Sequence, residues 1–359
     1  MGSLIVSGIG SLPFTEAGPA LELIEHYLPA APHWPQLPRR SRKEFFTHQF
    51  LGLLVELGLL LEGGKGWYFP LDSLSWVEGL TTFYELYLAA EAGQEEARER
   101  FAPSEEAAVG FYAFLAALGA GGFPRAEWVK GQIAGPVSVG LNLFDPEGRP
   151  AYYHPQLRDL LVKSLAQGAS WQARKLAREC GRPVAIFVDD PAVGSWGTSL
   201  YVGLEREMIV SDLAHIAAAV REAGALAGVH CCAGVDWSIP LAAGFDLLSF
   251  DAYGYFEQLL PYASELAGFL NRGGILAWGL APTSPQAWSE TPESLRRRWQ
   301  RQVRNLEERG VSGELLRRQL WLTPSCGVGL LEPDLATHIY ALAAASAREL
   351  SRVIEEGGD

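Results

Sequence analysis

The chain has 359 residues, of which 48% are hydrophobic, so it can bury a large core. Its 29 Lys and Arg residues against 42 Asp and Glu residues give a net charge of −13, which argues against nucleic-acid and anionic-membrane partners. Its four cysteines are too few for a disulfide framework, and two are adjacent, which favours a reducing, cytoplasmic location. We expect no signal peptide, and no apolar run reaches the ~20 residues that span a bilayer.

Short β-branched or aromatic runs alternate with longer amphipathic stretches, a pattern typical of βα units in a parallel sheet. In chain order, the predicted strands are residues 4–8, 66–69, 128–133, 184–188, 226–231, 247–250, 275–279 and 320–323. The amphipathic stretches 155–179, 204–223 and 292–309 are predicted to be outer helices. Eight strands in this alternation predict an α/β fold, a single (β/α)8 TIM barrel that forms one domain over residues 1–359.

Two segments interrupt this alternation. Residues 30–42 contain Pro32, Pro35 and Pro38 and are predicted to be a loop. Residues 76–124, which include a portion rich in Glu and Ala, are predicted to be a helical insertion between strands 2 and 3. Neither segment has a strand set of its own, so we predict no second domain.

Four residues near predicted strand ends have the chemistry of zinc ligands. His230 and Cys232 share one face of a strand because side chains alternate, whereas Cys231 points to the other face. Asp251 follows the sixth predicted strand, and Cys326 follows the eighth. Taken singly, a buried cysteine or a hydrogen-bonded histidine needs no metal. Their shared position at the carboxyl ends, where barrel active sites lie, predicts a catalytic zinc site.

Five short motifs occur in the same order in a known family. They are Ile-Gly-Ser-Leu-Pro at residues 9–13, Gly-Pro-Val at 135–137, Val-Asp-Asp-Pro at 188–191, His-Cys-Cys at 230–232 and Pro-Ser-Cys-Gly at 324–327. In these motifs the chain resembles the catalytic barrel of cobalamin-independent methionine synthase and its shorter single-barrel relatives, within the superfamily that includes uroporphyrinogen decarboxylase.

The resemblance implies a thiol S-methyltransferase that uses Zn²⁺ and belongs to methionine biosynthesis. It implies that His230, Cys232 and Cys326 hold the metal, and Asp251 stands where the family has a zinc-binding glutamate. It also implies that Ser11 holds the carboxylate of an amino-acid acceptor and that Asp189 holds its ammonium group.

The chain also departs from the family pattern. A second acidic residue for the acceptor amine is expected near Lys65 and Gly66, where the sequence is Gly-Gly-Lys-Gly. The second, N-terminal barrel of the folate-using enzymes is absent from this sequence. We therefore expect a methylated corrinoid, carried on a partner protein, as the methyl donor. The acceptor is a small thiol such as homocysteine, with coenzyme M as the alternative.

Aromatic residues near predicted strand ends are candidates for a flat wall beside the donor, although packing in the core or at its rim is the more common role of such residues. These residues are Trp196, Tyr253, Trp237 and Trp278. A metal-free decarboxylase of the uroporphyrinogen type remains an alternative, because it shares the barrel and would use a basic cluster such as Arg39, Arg40 and Arg42. That alternative leaves the His and Cys residues unexplained.

Overall fold

The computed structural model describes residues 4–63, 66–199 and 201–356, and in these ranges it has nine strands and thirteen α-helices. The strands are β1 (Ile5–Val6), β2 (Leu61–Gly63), β3 (Gly66–Tyr68), β4 (Val129–Ala134), β5 (Val184–Asp189), β6 (Leu226–Cys231), β7 (Leu247–Phe250), β8 (Ile275–Ala281) and β9 (Leu320–Pro324). The helices are α1 (Ala17–Tyr27), α2 (Gly52–Glu56), α3 (Trp76–Glu91), α4 (Glu95–Glu99), α5 (Val109–Gly119), α6 (Pro136–Asn142), α7 (Pro155–Cys180), α8 (Arg206–Glu222), α9 (Ser238–Ala242), α10 (Ala263–Asn271), α11 (Pro292–Glu307), α12 (Gly313–Arg318) and α13 (Pro333–Glu355).

Seven of these strands form one curled parallel sheet in the order β1-β9-β8-β7-β6-β5-β4. Helices separate the successive strands β4 to β9 along the chain, as parallel pairing requires. The register sets Asp189 of β5 beside His230 of β6, and His230 beside Ser249 of β7. The predicted α/β class and the TIM-barrel-like arrangement are therefore confirmed, and the strand ends that carry the candidate ligands lie on one edge of the sheet.

The prediction of eight barrel strands is wrong at the second strand. Residues 66–69 contain β3, which pairs antiparallel with β2 in a separate two-stranded sheet. Only two residues separate β2 from β3 in the chain, which is enough for an antiparallel pair, whereas a parallel pair needs a long crossover. Lys65, near which a second acidic residue was expected, lies outside the described residues.

Within the described residues, β1 and β4 are the unpaired edges of an open, seven-stranded sheet. The Pro-rich segment predicted as a loop lies across this opening and makes two isolated parallel bridges, His33 to Lys130 and Gln36 to Ser11. Proline has no N–H group to donate, so Pro32 and Pro35 prevent a continuous hydrogen-bond ladder. This segment therefore spans the opening without forming a regular eighth strand.

The predicted helical insertion is confirmed as α3, α4 and α5, which lie between β3 and β4 in the chain. The sheet interior contains a small apolar cluster of Ala31, Ala185, Phe187, Leu247, Ala277 and Trp321. Polar side chains follow on the same faces towards the carboxyl ends, since every second residue shares a face. No helix in the described ranges is long and apolar enough to cross a membrane.

Candidate metal centre

Three of the four predicted ligands converge. His230 lies near the end of β6, Cys232 follows it, and Cys326 follows β9. Their ligand atoms all lie within 4.8 Å of one another, and they form a group that could hold a metal ion. The sulfur atoms of Cys232 and Cys326 are 3.0 Å apart. In a tetrahedral zinc site, bonds of ~2.0 to 2.3 Å place ligand atoms roughly 3.5 to 3.8 Å apart, so small adjustments suffice.

The two ring nitrogens of His230 have different surroundings. Nδ1 lies 2.9 Å from the hydroxyl oxygen of Ser249 on the neighbouring strand. Nε2 has no hydrogen-bond partner, and it is buried, since the side chain is only 2% exposed. An unpaired buried nitrogen costs free energy, and a metal bond at Nε2 would remove that cost. The residues present therefore fit a zinc ion by their donor types and by this unsatisfied atom.

The thiols of Cys232 and Cys326 influence each other's protonation. Their shared hydrogen bond lowers the pKa of Cys326, which His230 lowers further, although burial opposes both effects. The same hydrogen bond and burial raise the pKa of Cys232. The pair therefore gives up its first proton readily and retains its second. A bound cation would favour loss of the second proton, because coordination deprotonates thiols.

Asp251 lies outside this three-residue group in the described structure. Its Oδ1 atom accepts a hydrogen bond of 2.7 Å from the amide of Gly254, so its own loop orients the carboxylate. Burial raises the pKa of Asp251, while the backbone hydrogen bonds lower it. His230 and Cys326 also affect this pKa, so the carboxylate lies within electrostatic range of the group.

The three candidate ligands line one cavity of about 250 Å³. Its polar and charged lining comes from Ser11, Gln36, Glu44, Asp189, His230, Cys232 and Cys326. Its apolar lining comes chiefly from Ile9, Pro38, Phe45, Phe46, Leu330 and Leu331. Leu330 is 72% exposed and Phe45 is 39% exposed, so the apolar side chains extend to the surface.

Ser11 and Asp189, predicted as acceptor-binding residues, both line this cavity. The hydroxyl of Ser11 accepts a hydrogen bond of 3.2 Å from the amide of Gly329, which ties it to the loop that carries Cys326. Asp189 is buried, and its Oδ1 atom has no hydrogen-bond partner. Burial raises the pKa of Asp189 to about 6, against the opposing effects of Lys130 and His230.

The four predicted aromatic residues lie outside the lining of this cavity. Trp196 and Tyr253 do not line the cavity. The hydroxyl of Tyr253 donates to Glu290 at 2.7 Å, and the guanidinium of Arg298 lies 4.0 Å from its ring centre. The indoles of Trp237 and Trp278 are buried in the hydrophobic core.

Sequence reasoning missed several residues at this site. Ser249, which contacts His230, lies two residues before Asp251, so strand alternation could have identified it. Lys130, a buried lysine on β4, could have been identified as a charged residue within an apolar strand. Glu44 lines the cavity and is fully buried, with its carboxylate bonded to the Leu37 amide and to Arg40. No local pattern marks Glu44, because it lies in a Pro-rich connection.

Two of the sequence motifs contact each other next to the centre. The carboxylate of Asp190 accepts hydrogen bonds from the amides of Val137 and Ser138, at 3.0 and 2.8 Å, and from the Ser138 hydroxyl at 2.6 Å. It thereby satisfies free N–H groups at the start of α6. A Cβ atom on Gly135 would lie 2.2 Å from the Cβ of Asp190, so only glycine allows this approach.

Sequence comparison finds no protein-family model and no curated protein that matches the chain. Among solved structures, the chain is similar to a methyltransferase from Methanosarcina mazei, with a TM-score of 0.45 and 15% identity, over 96% of this chain and 94% of that chain. It is also similar to a dihydropteroate synthase from Xanthomonas albilineans, with a TM-score of 0.26 and 11% identity, over 71% of this chain and 89% of that one. The identity and the TM-score are low for both structures, and neither similarity assigns a function to this chain.

Proposed function

We propose that this protein is a zinc-dependent methyltransferase that moves a methyl group from a methylated corrinoid to a small thiol, with homocysteine as acceptor and methionine as product. The observation that carries this proposal is the convergence of His230, Cys232 and Cys326 at a cavity, with His230 Nε2 buried and unpaired. Three protein ligands beside an accessible cavity are typical of catalytic zinc, which keeps one position for substrate. In this proposal Asp251 is the exchangeable fourth ligand.

Zinc would supply a deprotonated, correctly placed acceptor sulfur, because a thiol at neutral pH is mostly protonated and only the thiolate attacks carbon. His230, Cys232 and Cys326 would hold the ion, and Ser249 would orient His230. Overall, a sulfur–carbon bond forms and the cobalt–carbon bond breaks, with its electron pair left on cobalt. The thiol proton leaves to solvent.

The charges that line the cavity favour an acceptor with an ammonium group. Glu44 and Asp189 contribute carboxylates, and no lysine or arginine belongs to the described lining. Asp189 Oδ1 lacks a partner, so an ammonium group could bind there, whereas the sulfonate of coenzyme M would meet like charge. This charge pattern supports homocysteine over coenzyme M.

The apolar part of the cavity lining is suited to the donor. Phe45 and Leu330 expose apolar surface at the cavity, and Leu331 continues it inwards. A corrinoid has a broad macrocycle whose methyl group must approach the bound sulfur, and apolar contacts can exclude water along that approach. A carrier protein that presents the corrinoid at this edge of the sheet is the proposed partner.

The metal-free decarboxylase alternative has less support. An acidic tetrapyrrole needs cationic partners, but Arg39 pairs with Glu332 at 3.0 Å and Arg40 pairs with Glu44 at 3.1 Å. Arg39, Arg40 and Arg42 do not line the cavity. No observation at the site favours this activity.

The proposed activity is tested by incubating zinc-loaded protein with methylcobalamin and either homocysteine or coenzyme M, and by measuring the methylated thiol by mass spectrometry. We expect methionine from homocysteine and at most a small yield from coenzyme M. Cys326→Ser should abolish zinc retention and methyl transfer. Cys180→Ser, at a half-buried cysteine outside the ligand group, is the matched control and should retain both. Methyl transfer that survives Cys326→Ser would contradict the proposal.

A further inference from the structure

Lys130 is a buried charge for which the metal site provides no explanation. It lies on β4 inside the curled sheet and is 1% exposed. Its ammonium donates to the Ile9 carbonyl at 2.5 Å and to Oε1 of Gln132 at 3.4 Å, and it lies 4.8 Å from the centre of the Phe187 ring. These three contacts are uncharged, and the carboxylate of Asp189 only partly offsets the lowering of the Lys130 pKa by burial. Burial of an ammonium that has no direct ion pair opposes folding, so a gain in stability does not explain this residue.

The bond to Ile9 spans the opening in the sheet. β4 and β1 are the two edge strands, and they do not pair with each other in the described structure. The backbone of the Pro-rich segment bridges them only at single positions, including the bond from the Lys130 amide to the Pro32 carbonyl at 2.9 Å. The side chain of Lys130 therefore adds a direct link between the two edges, at the level of the cavity.

The Ile9 carbonyl, which Lys130 contacts, lies two residues before Ser11, the residue proposed to bind the acceptor carboxylate. Ile9 precedes Gly10 and Ser11, and a Cβ atom on Gly10 would lie 2.8 Å from Cδ of Gln132, so this turn packs tightly on β4. The Ser11 carbonyl accepts from the amide of Val328 at 3.2 Å, and its hydroxyl accepts from Gly329. Movement of the Ile9 carbonyl would therefore shift the Ser11 hydroxyl relative to the loop that follows Cys326.

We propose that Lys130 is a positioning residue for the acceptor, because its ammonium links the two open edges of the sheet and holds Ser11 where it meets the acceptor carboxylate. This inference rests on the proposed function, in which Ser11 binds that carboxylate. Lys130 itself contacts neither acceptor nor metal. Its loss should therefore weaken recognition of the carboxylate and leave zinc in place.

The test compares homocysteine with 3-aminopropane-1-thiol, which has the same thiol and ammonium groups but no carboxylate. Binding to zinc-loaded protein is measured by calorimetric titration without a methyl donor, for Lys130→Met, Ser11→Ala and the double variant. We expect the ratio of the affinity for homocysteine to that for 3-aminopropane-1-thiol to fall about tenfold in each single variant. This is the size of one hydrogen bond to a charged group. The double variant should lose no more than either single variant, and zinc content should stay at the wild-type level.

Tyr340→Phe is the matched control, because it removes the hydrogen bond of 2.8 Å to His33 at the same opening without affecting the Ile9 carbonyl. It should leave the preference between the two thiols unchanged. If Lys130→Met does not fold, Lys130→Arg keeps the charge but not the ammonium geometry, and it should lose the same preference.

Equal weakening of both thiols, or losses that multiply in the double variant, would overturn the positioning role. A wild-type protein that binds zinc and both thiols but transfers no methyl group would instead contradict the proposed function alone.

Discussion

His230 illustrates the site at the scale of a single residue, because its two ring nitrogens have different roles. In a neutral imidazole one nitrogen carries the proton, and the tautomer that donates from Nδ1 to Ser249 leaves the lone pair of Nε2 free for a metal. The inward positions of His230 and Cys232 were predictable from strand alternation. The orientation of Asp251 was not, since it depends on the conformation of its own loop, in which the Gly254 amide donates to the carboxylate.

Ser249→Ala should weaken zinc affinity by about 10- to 100-fold, because outer-shell partners of ligating histidines have effects of this size. Affinity is measured by competition with a chromophoric chelator. Ser346→Ala, at a fully buried serine whose hydroxyl has no partner, is the matched control and should leave the affinity unchanged. An unaltered affinity in Ser249→Ala would show that His230 needs no orientation by Ser249.

His33 should make the free energy of unfolding depend on pH. Burial, together with the charge of Lys130, lowers its pKa to about 3. The unfolded chain therefore binds a proton below pH ~6.5 that the folded chain rejects, so stability is present above that pH and is lost as pH falls. The loss due to His33 should be about 1.4 kcal/mol per pH unit between pH 6 and pH 5.

Urea unfolding at pH 7, 6 and 5 measures this contribution as the difference between the wild type and His33→Gln. The excess of the wild-type free energy of unfolding over that of His33→Gln should decrease by that amount per pH unit as pH falls. His26→Gln, at an exposed histidine of α1, serves as the control and should show a constant difference. A constant difference in His33→Gln would mean that the ring titrates equally in both states.

Contacts between secondary-structure elements explain why certain residues occur in the short sequence motifs. Gly135 and Asp190 lie far apart in the chain, but the end of β5 lies close in space to the start of α6. The Asp190 carboxylate accepts hydrogen bonds from the first amides of that helix. The strands β4 to β9 were predictable because apolar runs and long crossovers leave clear patterns. The hairpin of β2 and β3 was not, because a three-residue strand has the same local pattern in either pairing.

Gly135→Ala should destabilise the fold by about 1 to 3 kcal/mol, the usual range for an atom inserted into a well-packed contact. The added Cβ would lie 2.2 Å from Cβ and 2.3 Å from Cγ of Asp190 and would displace this carboxylate from the start of α6. Denaturant unfolding measures the change. Gly18→Ala, on helix α1 with no atom within 4 Å of its added Cβ, is the matched control and should not destabilise. Equal stability of both variants would contradict this packing argument.

At the scale of the whole molecule, the open parallel sheet brings segments that are distant in sequence together at the carboxyl ends of its strands. Residues near positions 11, 189, 230 and 326 meet at one cavity because parallel strands present their carboxyl ends together. The sequence allowed this convergence to be predicted, but not the opening between β1 and β4. Prolines in the connecting segment remove donors from the ladder there, and the side chain of Lys130 adds a link across the gap.

The most direct test of the proposed metal site is the zinc content of protein purified without chelators, together with zinc-edge X-ray absorption before and after addition of homocysteine. We predict one zinc per chain, with two sulfur ligands, one imidazole and the Asp251 carboxylate from the protein, and a third sulfur in place of the carboxylate when homocysteine is added. Protein that binds no zinc, or a zinc whose ligands do not change with any thiol, would contradict the proposed thiol methyltransferase.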